Sequence, residues 1–142
     1  MSQIIRDMLE ISRCGVQYRS DNLAQFGLKS IHASYLTEIC ANPGISQDRL
    51  AKLIFINKSN VARQVAVLEE DGFVRREPSA ADKRVMELYP TEKTLQILPQ
   101  ISNILMCWEN CITHDLSEEE KELLTALLRK MSARAASYME DR

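Results

Sequence analysis

Two runs decide the architecture: Ser46-Gln47-Asp48-Arg49-Leu50-Ala51-Lys52-Leu53, and four residues later Lys58-Ser59-Asn60-Val61-Ala62-Arg63-Gln64-Val65-Ala66-Val67-Leu68-Glu69-Glu70-Asp71, closed by Gly72. Ser46 is a good N-cap, because its hydroxyl can accept from an orphan helix N–H. The spacing predicts a short helix to about Leu53 that buries Leu50 and Leu53. Ile54-Phe55-Ile56-Asn57 is a tight connection. In the second run Val61, Val65 and Leu68 fall at i, i+4 and i+7, one face of a helix over about 58–71. Gly72 stops it, since a positive φ costs glycine nothing. Phe73-Val74-Arg75-Arg76-Glu77 then reads as a strand ending at Pro78, Ser79-Ala80-Ala81-Asp82-Lys83 as a polar loop, and Arg84-Val85-Met86-Glu87-Leu88-Tyr89 as an alternating second strand. Two helices around a tight turn, followed by a hairpin, make a winged helix-turn-helix with a two-stranded antiparallel wing.

In such a unit the second helix presents polar side chains to base edges in the major groove. The face opposite Val61, Val65 and Leu68 carries Lys58, Ser59, Asn60, Arg63 and Gln64. Arg can pair with guanine through two hydrogen bonds, and Asn or Gln with adenine. Asn60, Arg63 and Gln64 are therefore expected on base edges. Lys58 and Ser59, with Ser46 and Arg49 on the first helix, are expected to set position on the phosphates. A solvated helix face would explain the same polarity, but such faces usually mix signs. Residues 49–68 hold Arg49, Lys52, Lys58 and Arg63 and no acidic residue.

Outside this stretch the chain reads as helical. Residues from about Ser2 to Asn22 form a first helix with Ile4, Ile5, Met8, Leu9, Ile11 and Val16 as apolar positions. Gly27 breaks the chain, and a second helix follows from about Lys29 to Ala41, with Ile31, Tyr35, Leu36 and Ile39 inward. Asn42-Pro43-Gly44 is a turn. Thr91 can cap a long helix to about Asp115, which Pro99 should kink or relieve of one backbone bond. Ser117-Glu118-Glu119-Glu120 is a capping box opening a last helix with Leu123, Leu124, Leu127, Leu128 and Met131. The fold class is mainly α, one domain over 1–142. A dimer is favoured by the first helix and the last two, whose Leu, Ile and Met exceed what one small winged lobe can cover. Twofold symmetry suits a palindromic operator.

Composition adds bounds. The chain has 142 residues, is 45% apolar and carries a formal net charge of −2. Disorder is excluded, and charge alone gives no argument for nucleic acid: residues 46–91 hold eight basic against seven acidic groups, residues 115–142 five against seven. No apolar run reaches the roughly 18 residues of a membrane span, and the first residues lack a signal-peptide pattern, so a cytoplasmic protein is expected. Cys14, Cys40, Cys107 and Cys111 are then expected as buried thiols rather than disulfides. No nucleophile elbow, phosphate loop, His-Glu-x-x-His or Gly-x-Gly-x-x-Gly occurs, and the two histidines, His32 and His114, lie on separate predicted helices. The chain is not expected to be an enzyme.

With these pieces in order, the sequence resembles the MarR-type (multiple antibiotic resistance) regulators. Gly44 to Leu53 is similar to the first helix of their helix-turn-helix, Asn57-Lys58-Ser59-Asn60-Val61-Ala62-Arg63 to their recognition helix, and Leu68 to Arg76 to its end and the first wing strand. Asp82-Lys83-Arg84 matches the family's Asp-x-Arg wing signature, and Thr91-Glu92-Lys93 its helix start, over about residues 27–95 in all. Thr94 stands where the family often has Gly, and Pro90 where an aliphatic residue is common. The resemblance implies a triangular homodimer, with residues 29–90 as the DNA-binding lobe and 1–26 and 91–142 as a helical dimerisation region, and a repressor of a neighbouring operon relieved by a ligand. It places Arg84 at the minor groove or its phosphates, with Asp82 orienting its guanidinium and Lys83 beside them; a narrow minor groove attracts Arg. An exposed ion pair worth little is the alternative for Asp82 and Arg84.

The sequence offers three candidate sensors. Cys14 and Tyr18, at i and i+4, are similar in spacing to the thiol and tyrosine of hydroperoxide-sensing members, and Arg13 could lower the thiol pKa; filling of a small core space is the competing reading. Cys107, Cys111 and His114, at i, i+4 and i+7, could offer two thiolates and an imidazole to zinc, but three ligands on one straight helix surround a tetrahedral ion poorly, and the same spacing is a core stripe with Trp108 and Ile112. No metal or cofactor is expected. His32, Tyr35 and Trp108 could line a pocket for a small aromatic effector between the dimer region and the DNA lobe. Besides the regulator, a winged-helix protein-interaction module without DNA binding stands as an alternative. Lys58, Arg63 and Arg84 argue against it, because a lapsed DNA binder has little reason to keep all three.

Overall fold

A computed structural model describes residues 1–142. In chain order the elements are α1 (Gln3–Leu23) with a short 3₁₀ turn (Ala24–Phe26), α2 (His32–Ala41), β1 (Ile45–Ser46), α3 (Gln47–Ile54), α4 (Lys58–Glu70), β2 (Val74–Pro78), β3 (Met86–Pro90), α5 (Glu92–Ile112) and α6 (Glu118–Glu140). The chain forms two compact units, Met1–Met106 and Cys107–Arg142.

The first unit holds the helix-turn-helix and its hairpin. β2 and β3 pair antiparallel from Val74 opposite Pro90 to Pro78 opposite Met86. The sheet has a third strand that the sequence pattern did not reveal: β1 pairs antiparallel with β3, Ile45 opposite Leu88, giving the order β1-β3-β2. Two residues carry too little periodicity to announce a strand. β3 also begins two residues later than the alternation suggests. Arg84 and Val85 belong to the loop, because Asp82 Oδ1 accepts from Arg84 N at 3.0 Å and Asp82 O from Val85 N at 2.9 Å, a local turn that competes with the ladder.

The core of this unit is one cluster. Leu23, Tyr35, Leu36, Ile39, Leu50, Val61, Val65, Leu68, Leu88 and Ile101 are fully buried in it. Val61, Val65 and Leu68 form the inward stripe of α4 as their spacing predicts. Leu53 does not follow: it is 48% exposed, while Leu50 and Ala51 are buried and Ile54 packs against the cluster. An α-helix turns 100° per residue, so with Leu50, Ala51 and Ile54 inward Leu53 lies roughly 100° off the buried centre. Gly72 takes φ +83, as a helix stop requires. α5 runs unbroken through Pro99 but ends at Ile112.

In the second unit α6 opens with the capping box: Ser117 Oγ accepts from Glu120 N at 3.1 Å, and Glu120 Oε1 accepts from Ser117 N at 2.9 Å. No residue of α6 is buried, and Leu123, Leu124, Leu127, Leu128 and Met131 are all exposed. No helix of the chain is long and apolar enough to cross a membrane.

Candidate nucleic-acid interface

Local chemistry fixes the start of α4. Asn57, in extended backbone, caps the helix: its Oδ1 accepts from Asn60 N at 2.8 Å and also from Ser59 Oγ at 2.8 Å. Asn60 in turn accepts from Arg63 through its side-chain oxygen. Lys58, Ser59 and Arg63 are exposed and Asn60 half-buried. Lys58 Nζ stands 3.4 Å from Asp48 Oδ2, an open pair that solvent screens. On α3, Ser46 Oγ is spent as the helix cap, accepting from Arg49 N at 3.1 Å, while Arg49 is exposed.

Gln64 behaves differently from its neighbours. It is half-buried, and its Oε1 lies 2.8 Å from Nε2 of His32, a residue 1% exposed at the start of α2. The carboxamide oxygen that a bidentate adenine contact needs is therefore engaged inward. Gln64 lies close to the inward stripe of α4, whereas Arg63 points nearly opposite.

The wing tip is built by one carboxylate. Asp82 accepts from Arg84 Nε and Nη2, each at 3.1 Å, and these bonds hold its carboxyl below the usual carboxylate range. The Arg84 side chain remains 91% exposed, and Lys83 beside it is exposed too. A second arginine joins the wing to both helices. Arg76 on β2 donates to Glu69 at the end of α4 through Nη2 at 2.9 Å and Nε at 3.1 Å, and to Gln47 of α3 through Nη1 at 3.4 Å. Those bonds hold the Glu69 carboxyl below its ordinary range. Sequence reasoning missed Arg76 and the His32–Gln64 bond, since neither has a local signal. The Asn57 cap was readable as an Asn immediately before the helix.

The other candidate residues scatter. His32 and Tyr35 are buried, with rings edge-on at a centroid distance of 6.3 Å, so they belong to the core of the first unit rather than to a pocket wall. Trp108, half-buried, belongs to the second unit. A cavity of about 610 Å³ is lined instead by Val16, Arg19, Ile31, Ser34, Thr37 and Leu105, among others. Cys14 is exposed on α1, one turn before the half-buried Tyr18 that packs on the core. Cys107 and Cys111 are exposed too, and only Cys40 is half-buried, where burial pushes its thiol pKa up. The expectation of buried thiols thus fails for three of the four, because the α1 and α5 stripes that carry them face outward in the single chain. Cys107, Cys111 and His114 are not gathered into a metal-holding group.

A helix pair, a hairpin packed behind it and an arginine at the hairpin tip define a winged helix-turn-helix protein. The model of the MarR family matches residues 26–85. Over 131 residues the chain is 29% identical to the HTH-type transcriptional regulator YybA of Bacillus subtilis, covering 92% of this chain and 87% of that protein. Over 105 residues it is 30% identical to the HTH-type transcriptional regulator BilQ of Clostridium symbiosum, covering 74% and 73%. The crystal structure of a MarR family transcriptional regulator from Listeria monocytogenes complexed with 26mer DNA superposes with a TM-score of 0.91 at 27% identity, covering 96% of this chain and 91% of that one. The chain belongs to the MarR family, and it is a transcriptional regulator rather than an enzyme.

Proposed function

We propose that the chain acts in the cytoplasm as a homodimeric repressor that binds a palindromic double-stranded operator, with α4 in the major groove and the wing tip against the minor groove. The wing carries this reading: Arg84 is 91% exposed yet clamped at two nitrogens by Asp82, so its guanidinium is aimed without being consumed. A clamped, solvent-facing guanidinium contributes little to folding and suits a phosphate or a narrow groove. Lys58, Ser59 and Arg63 supply the exposed start of α4, with Asn60 beside them; Arg49 stands on α3 and Lys83 on the wing. The relative in complex with DNA supports DNA binding as such. Domain roles follow: residues 29–90 as the DNA-binding lobe, and 1–26 with 91–142 as the dimerisation region. The outward apolar residues of α1 and of α6 support the latter. Relief of repression by a small aromatic effector draws support from the 610 Å³ cavity, whose largely apolar wall carries one cation, Arg19, and one anion, Glu38.

The test is a salt series on DNA recovered by random-sequence selection, with Arg63→Ala and Arg84→Ala alongside the unsubstituted protein. Affinity should fall steeply with salt, by a slope of about 0.9 per phosphate neutralised. Arg63→Ala should cost about 1–3 kcal/mol and relax sequence preference. Arg84→Ala should weaken all sequences alike and flatten the salt slope by about 1. A protein that selects no sequence and shows no salt dependence would refute the reading.

A further inference from the structure

Behind the exposed face of α4 lies a polar contact between α2 and α4. His32 Nδ1 accepts from Lys29 N at 3.0 Å, so that nitrogen carries no hydrogen in the neutral ring. The ring proton therefore sits on Nε2, which donates to Gln64 Oε1 at 2.8 Å. Everything else on the inner face of α4 is apolar: Val61, Val65 and Leu68. Apolar burial holds the helix down but is non-directional, and it tolerates small rotations. A hydrogen bond between a fixed ring and a carboxamide is directional.

We infer that His32 is a positioning residue for the recognition helix: its neutral, Nε2-protonated ring braces α4 against α2 through Gln64 and so sets the presentation of Arg63 and Asn60 to DNA. The inference rests on the DNA-binding reading above. At 1% exposure His32 cannot itself touch DNA. Protonation leaves the Nε2–H bond to Gln64 in place and acts on the other ring nitrogen. A second ring proton would fall on Nδ1 and face the Lys29 N–H, donor against donor. The groups around the ring divide: the Gln64 oxygen favours a charge there, Lys29 before α2 opposes one, Asp71 at the end of α4 favours one, and the Tyr35 ring packs edge-on. Burial outweighs them and pushes the His32 pKa down, so the ring is neutral at neutral pH; as pH falls through the lowered value the ring loses the Lys29 bond that fixes its orientation and keeps its Nε2–H bond to Gln64.

The experiment is a double-mutant cycle on the full chain, using His32→Leu, Gln64→Leu and the pair. Affinity for the selected DNA is read at pH 7.5 and 5.5, with ¹⁵N shifts of the ring and hydrogen exchange of α4 amides as readouts that need no DNA. His32→Leu should weaken binding about tenfold at pH 7.5 in the parent and less than twofold in the Gln64→Leu background. The parent should lose affinity on acidification by a factor that His32→Leu does not share. Equal losses in both backgrounds, or an Nδ1-protonated ring, overturn the inference while leaving the DNA reading intact. If the parent binds no DNA, that reading fails, and the brace is judged on α4 exchange, which should quicken about tenfold in His32→Leu. Unchanged exchange overturns it.

Discussion

α4 and α6 carry the same kind of pattern and meet different ends. In α4 Val61, Val65 and Leu68 are fully buried in the core cluster, with α3 and β2 packed against the helix. In α6 Leu123, Leu124, Leu127, Leu128 and Met131 recur at the same helical spacings, and none is buried. Amphipathic periodicity states that a face wants cover. It does not state whether the same chain provides it. The difference separates a lobe that the single chain completes from a helix that it leaves uncovered, proposed above as part of a dimer interface, and substitutions can test that separation.

The largest effect should come from the completed face. Leu68→Ala removes a fully buried side chain and leaves a cavity, at a cost of about 2–5 kcal/mol, visible as a lower denaturant midpoint. The unfinished face should respond through association. Leu127→Asp places charge on the apolar stripe of α6; sedimentation should show a shift toward monomer with at least a tenfold weaker dimer, about 1.4 kcal/mol. If Leu127→Asp left the mass unchanged while Leu68→Ala dissociated the protein, the two faces would have been assigned the wrong way round.

The same contrast explains what the sequence disclosed. The inward stripe of α4, the Ser46 cap, the capping box at Ser117 and the hairpin are local patterns, and all appear in the fold. β1 was hidden because two residues have no period. Leu53 was misplaced because Ala51 and Ile54, not Leu53, share the inward face with Leu50. The candidate site was legible only as an inventory of side chains. Arg63 and Arg84 stand exposed where the pattern put them, but Gln64 is turned by His32, 32 residues away in sequence, and Arg76 reaches Gln47 29 residues back. Such long-range pairs leave no spacing to read. The cysteines show the limit from the other side: residue type suggested burial, and the outward α1 and α5 stripes decided otherwise.

Helix caps give the next, smaller comparison. Asn57→Ala and Ser117→Ala each remove a side-chain acceptor at a helix start and should each cost about 1 kcal/mol. Their consequences should differ. Fraying α4 displaces Lys58, Ser59 and Asn60, so Asn57→Ala should also weaken DNA binding several-fold, while Ser117→Ala should leave affinity unchanged at concentrations that keep the protein dimeric. Equal effects on affinity would mean that the α4 start does not enter the groove.

Below that lies the tie between the wing and α4. Arg76 holds the Glu69 carboxyl below its ordinary value, so the pair stabilises the lobe fully above about pH 4.5, and that contribution is lost as pH falls through the lowered value. Both side chains are partly exposed, so the gain is below about 1 kcal/mol. Arg76→Met should flatten the stability profile in this acid range and change little at pH 7. A parent and variant with parallel acid profiles would show that the pair is fully screened.

The smallest effect has the opposite sign. Phe55 closes α3 at φ 56 and ψ 43, a left-handed conformation that costs a side chain with a Cβ about 1 kcal/mol, and it is 64% exposed, so packing returns little of that cost. Phe55→Gly should therefore raise the melting temperature slightly, the gain held to about 0.5 kcal/mol by the extra freedom of glycine in the unfolded chain. The gain should be confined to the lobe, with no change in the α6-dependent association that Leu127→Asp weakens. A lower melting temperature would show that the Phe55 ring supports the turn into α4 more than its exposure suggests, and the completed lobe would then extend one residue further into its connecting turn.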